Sequence, residues 1–137
     1  MFKLKLIFQL SLLGLLMGFA TVWFISFKSE PYFWLIILIF CAYRIGNIHR
    51  GNYFLHGFFV AILCGCWYAL VHVFFYREFI EFHPEELSLF QQLSLEQSPK
   101  FATLITGPMF GAGFGLLLGT FSMGAYLLRK KLEKKKK

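Results

Sequence analysis

Four apolar runs, each closed by polar or charged residues, divide the chain: Leu4 to Phe27, Tyr32 to Tyr43, Tyr53 to Tyr76 and Phe101 to Leu128. A helix that crosses a membrane needs about 20 predominantly apolar residues, with about 17–25 usual. The first, third and fourth runs meet that length directly. The second meets it only if the helix continues through Arg44 to about Ile48, the arginine reaching its charge back to the surface. The pattern therefore predicts an all-α integral membrane bundle of four transmembrane helices, over about 4–27, 31–48, 53–76 and 101–128, forming one domain over 1–137.

The connections refine this. "KSEP" is so short that helices one and two are expected to pair as an antiparallel hairpin, with Ser29 as N-cap and Pro31 in the first turn, where proline is tolerated. "GNIHRGN" is nearly as tight and places helix three beside helix two. The third connection is long, and "HPEELSLFQQLSLEQSP" has a proline and two glutamates at a helix start, leucines and Phe90 along one side, and a Ser-Pro stop. It predicts a short external amphipathic helix over about 84–97.

Composition agrees with the pattern. The 137 residues are 58% hydrophobic and 20% aromatic, well above the roughly 45–50% apolar content of soluble domains, and one small domain could not hide so many phenylalanines from water. The net charge of +7 would suit a nucleic-acid partner only if it formed one face. It does not. Lys3, Lys5, Arg44, Arg50 and the tail from Arg129 to Lys137 lie on one side of the expected topology, whereas only Lys28, Arg77 and Lys100 lie on the other. By the positive-inside rule both termini are expected in the cytoplasm. Trp23, Tyr32, Trp34, Tyr53, Tyr76 and Tyr126 stand near run ends, as interfacial aromatics do. The opening "MFKLK" and "GFA" at Gly18 to Ala20 imitate a cleavable signal, but the apolar run continues through "TVWFISF", so a retained first helix is expected.

Within the fourth run, "GPMFGAGFGLLLG" carries Gly107, Gly111, Gly115 and Gly119 at every fourth position. Each glycine costs a water-soluble helix about 1 kcal/mol relative to alanine, but helices in lipid associate by close backbone approach, which small residues at this spacing permit. Helix three has a second ladder, Gly57, Ala61, Gly65 and Ala69, and helix one a stripe of Ser11, Gly14, Gly18 and Thr21. The core "YFWLIILIF" of helix two has none. Three helices are thus expected to pack closely, within one chain or against a second copy, while the second turns bulky side chains to lipid or a partner. Pro108 is expected to loosen helix four near its outer end.

Candidate chemistry is sparse. His56 and His72 are sixteen residues apart on helix three, about 24 Å along the axis, too far to share a ligand. Interfacial hydrogen bonding is the simpler role for them, a proton or ligand role the sharper one. Cys41, Cys64 and Cys66 are expected to be buried packing residues; the last two point about 200° apart on a helix and cannot grip one metal. There is no Asp, no Glu within an expected span, and no nucleophile, zinc or phosphate-loop motif. No catalytic, cofactor-binding or metal-ligating residue is expected. Glu78, Glu81, His83, Glu85 and Glu86 are expected to form a solvated helix start, with weak cation or partner binding as the alternative. Arg129, Lys130 and Lys131 would face lipid headgroups and fix orientation.

From Gly51 to Leu87, "GNYFLHGFFVAILCGCWYALVHVFFYREFIEFHPEEL" is similar to a family of small four-span bacterial inner-membrane proteins defined as a domain of unknown function. The shared features are the tight basic loop, Gly57 before the aromatic-rich helix with "WYAL", the "FYREFI" exit and the acidic segment before a last span ending in lysines. The resemblance implies a four-helix topology in a bacterial inner membrane and supplies no activity or cofactor. The function expected from all this is a non-catalytic structural or accessory subunit of a membrane complex, in contact with lipids and with a membrane-protein partner or a second copy. A small oligomeric channel or transporter is the alternative.

Overall fold

The computed structural model describes residues 3–48, 51–85, 88, 92 and 99–135. Among these residues the chain is all-helical, with five helices and no strand: α1 (Leu4–Trp23), α2 (Glu30–Gly46), α3 (Tyr53–Phe74), α4 (Tyr76–Phe82) and α5 (Pro99–Lys135). Three of them, α1, α3 and α5, are long and apolar enough to cross a membrane. The 17 residues of α2 rise about 25 Å, short of a hydrocarbon core of about 30 Å. Of the external helix expected over 84–97, only Pro84, Glu85, Ser88 and Gln92 belong to the described residues.

The centre of the molecule is α3, which packs against α5 on one side and α1 on the other. Small residues set how near the helices come. A methyl on Gly57 would lie 2.8 Å from the backbone nitrogen of Gly119 and from the carbonyl oxygen of Leu118; one on Gly111 would lie 2.8 Å from the carbonyl oxygen of Ala61. On the other flank, a methyl on Gly14 would run into the backbone of Cys64. These pairings run α3 antiparallel to α5 and parallel to α1.

The second helix takes a different place from the expected one. Although only Phe24 to Ser29 join α1 to α2, the two hardly touch, and α2 leans on α5 instead. The cause is a small-residue contact at the C-terminal end of α2, where a methyl on Gly46 would lie 2.7 Å from Ala125 Cβ and 3.0 Å from Tyr126 N. At that end the helices converge, and one buried cluster draws on α1 (Ile7, Leu10), α2 (Cys41, Ile45), α3 (Val60) and α5 (Leu118).

Helix ends also depart from the apolar runs. α1 stops at Trp23, four residues before its run ends, because the chain leaves helical geometry at Phe24. α3 breaks at Phe75, with φ −105° and ψ 35°, and α4 follows at once. α5 continues unbroken through Pro108 and beyond Leu128 to Lys135. No glycine or proline interrupts Arg129 to Lys135, and Arg129 Nε donates to Glu133 Oε1 at 2.8 Å one turn on. As far as Lys135, the stretch read as a tail is helix.

Candidate functional site

Away from the close Gly46–Ala125 contact, a cleft of about 360 Å³ opens between α2, α3 and α5. Its deep walls are apolar: Leu38 and Cys41 from α2, Ala61 and Gly65 from α3, Gly111 and Leu118 from α5. Glycines that bring α3 and α5 together thus also form part of its floor. From Ala61 to His72 the cleft follows α3 for about 16 Å.

The polar groups gather at one end. Glu30, the first residue of α2, accepts two hydrogen bonds on Oε1, from Trp34 Nε1–H at 3.0 Å and from the Tyr68 hydroxyl at 2.6 Å. The Tyr68 ring meets His72 edge to face, with centroids 3.9 Å apart. Thr103 and Thr106 of α5 line the same end. Glu30 was expected in the loop before a helix starting at residue 31; the helix starts one residue earlier, and the carboxylate of its first residue stands at the cavity mouth.

His72 is buried, and its Nε2 lies 2.8 Å from Thr21 Oγ1. That hydroxyl sits 2.9 Å from the Gly18 carbonyl and 3.0 Å from that of Met17, so with its proton directed there it accepts from His72 Nε2–H. Phe79 of α4 stacks on the other side of His72 at 3.9 Å and 18°. His83 stacks in turn on Phe79 at 4.8 Å, and its Nε2–H donates to the Ile25 carbonyl at 3.1 Å. His83 is therefore buried, not part of a solvated acidic helix start. Glu78, Glu81 and Glu85 are exposed, and Glu86 lies outside the described residues.

His56 has separate duties at the opposite end. Its Nδ1–H donates to the Asn52 carbonyl at 2.7 Å and its Nε2 accepts from the backbone N–H of Lys3 at 3.0 Å, which fixes the tautomer and ties the start of α1 to that of α3. The two histidines are not brought together, yet both turn toward α1.

The other expected residues are placed as follows. Gly65 faces Gly107 and Gly111, Ala69 faces Gly107, Gly115 faces Phe58, Gly119 faces Phe54, and Gly18 faces Val71. Ser11 accepts from Trp67 Nε1–H at 3.2 Å. Arg129 is paired with Glu133, whereas Lys130 and Lys131 are exposed. Cys41, Cys64 and Cys66 are free thiols. Among the described residues no three His, Cys, Asp or Glu side chains converge as metal ligands would. The residues missed from sequence are Glu30, Tyr68 and Gly46, while His83 was singled out but expected in solvent; Glu30 and Tyr68, from different helices, carried no common signal, whereas Ala42 and Gly46 stand at small-residue spacing.

No family model, curated protein or solved structure matches the chain.

Proposed function

We infer that the chain is a non-catalytic accessory subunit of a membrane complex, built to pack against a larger membrane protein or a second copy of itself. The observation that carries this reading is the dry middle of the bundle. Between His56 and His72 the buried positions of α3 are Gly57, Val60, Ala61, Cys64, Gly65, Ala69 and Val71, and they meet the small-residue faces of α1 and α5. Among the described residues every buried side-chain nitrogen and oxygen has a hydrogen-bond partner. A passage for ions would need a run of polar groups through that middle; its absence from the described core favours packing over transport.

The bonding surface on this reading belongs to α2. Tyr32, Leu35, Ile36, Ile39 and Tyr43 recur at helical spacing and are all more than half exposed, so they form one bulky stripe. The reading includes α2 as a fourth span, both ends on the cytoplasmic side, and membership of the four-span bacterial inner-membrane family that the third helix resembles. It is tested with a photo-crosslinking residue in place of Ile36 or Ile39, irradiated in native membranes, and the same residue at Phe110 on α5 as a control. A discrete adduct with one membrane protein or with a second copy, specific to the α2 positions, is expected. A protein that purifies as a strict monomer in mild detergent and gives no adduct from either position overturns it.

A further inference from the structure

The α2–α3–α5 cleft has features that packing does not require. An apolar trench ends at a carboxylate held by two donors, and aromatic rings of Phe27, Trp34, Tyr68 and Phe79 border that same end. We propose that this cleft binds a single-chain amphiphile with an ammonium head, the head at Glu30 and the chain lying along α3 toward Ala61 and Leu118.

Charge and shape both select that occupant. Among the described residues no lysine or arginine lines the cleft, so the complement to the Glu30 carboxylate is a cation that arrives with the ligand. Aromatic faces attract such a cation further, and most strongly where water is excluded. The carboxylate is already oriented, since Tyr68 and Trp34 hold the same oxygen, Oε1, and an oriented group loses little freedom when it binds. Below the head, from Tyr68 to Ala61, the described residues of the walls offer only apolar and small side chains over about 10 Å of α3. A volume of about 360 Å³ stands at the low end of small-molecule sites, about 300–1,000 Å³, which suits one chain rather than the two of a membrane phospholipid. The assignment stands apart from the accessory role, since neither requires the other.

The test uses the full chain in phosphatidylcholine nanodiscs, with empty discs subtracted, and two radiolabelled probes of equal chain length, dodecyltrimethylammonium and dodecanol. Saturable binding of one dodecyltrimethylammonium per chain is expected, with dodecanol weaker by about tenfold or more, in line with a desolvated cation–π and carboxylate contact. Glu30→Gln keeps a carbonyl oxygen for Tyr68 and Trp34 but removes the charge; it should bring the ammonium probe down to the dodecanol level and leave dodecanol unchanged. Leu38→Trp, which fills the chain-binding part, should abolish both. Equal affinity of the unaltered protein for the two probes, or no saturable binding of either, overturns the proposal without recourse to any variant. So does a Glu30→Gln protein that binds the ammonium probe undiminished. Displacement of the probe when phosphatidylethanolamine replaces phosphatidylcholine would show a two-chain bilayer lipid in the cleft and overturn the single-chain assignment.

Discussion

Glycines in this chain do two different things, and the difference is visible one position at a time. Gly57 and Gly111 stand where any side chain would press on the backbone of the facing helix, at 2.8 Å in each case. Gly113 and Gly124 sit on the same α5 with nothing within 4 Å of an added methyl. Helical spacing accounts for this: Gly113 lies two residues from both Gly111 and Gly115 and so points away from α3. Gly57→Val should force α3 and α5 apart and cost about 1–3 kcal/mol, the range for overpacking a close contact. Gly113→Ala should stay within about 0.5 kcal/mol of the parent. Thermal unfolding of the two variants in one detergent checks the contrast; equal losses would mean that the α3–α5 contact is looser than its geometry.

The helices show which parts of such an arrangement a sequence can reveal. The facing stripes of α1, α3 and α5 were legible because each repeats along one helix, and spacing alone identifies them. The α2–α5 contact was less so, since it rests on Gly46 and Ala125 at the edge of bulky and basic stretches and does not repeat. Least legible was α4. An apolar run that passes from Phe74 into "YREFIEF" looks like one fading helix, and nothing in its period announces a break at Phe75. What fixes α4 is non-local: Phe79 lies between His72 and His83, and His83 reaches back 58 residues to the Ile25 carbonyl. The same bond gives a partner to the Ile25 carbonyl, which lies beyond the end of α1. His83→Phe preserves the stacking on Phe79 and removes the donor. Local opening of α4 should become easier by about 1 kcal/mol, the net worth of an ordinary hydrogen bond. Hydrogen–deuterium exchange checks it: faster exchange over Tyr76–Phe82 with Leu4–Trp23 unchanged is expected, and uniform acceleration would assign His83 a role in the whole bundle.

Across the molecule, the strongest constraint on topology comes from the direction of two helices that are not consecutive. Lys3 meets His56 and Thr21 meets His72, so α1 and α3 run side by side in the same direction. Between Trp23 and Tyr53 the chain must therefore return the full length of the bundle, and α2 is the helix available for that return. Its charged residues suit the task. Glu30 stands at its first position and Arg44 two residues before its last, about 21 Å apart along the axis, which leaves the stretch between them uncharged. A span of this length fits if the arginine snorkels and the bilayer thins slightly, adjustments that cost only fractions of a kcal/mol per Å. Four crossings put Lys3, Asn47 and Lys131 on one side and Ser26 on the other; three crossings, with α2 lying at a surface, put Ser26 and Asn47 on the same side and make α1 and α3 antiparallel. The distinction is measurable in a version with Cys41, Cys64 and Cys66 replaced by alanine and one new cysteine at a time. A membrane-impermeant maleimide applied to intact cells should label Ser26→Cys, and should label Asn47→Cys and Lys131→Cys only after the membrane is opened. Labelling of Asn47→Cys and Ser26→Cys from the same side would remove α2 from the spans, and labelling of Lys131→Cys in intact cells would reverse the orientation drawn from the basic residues.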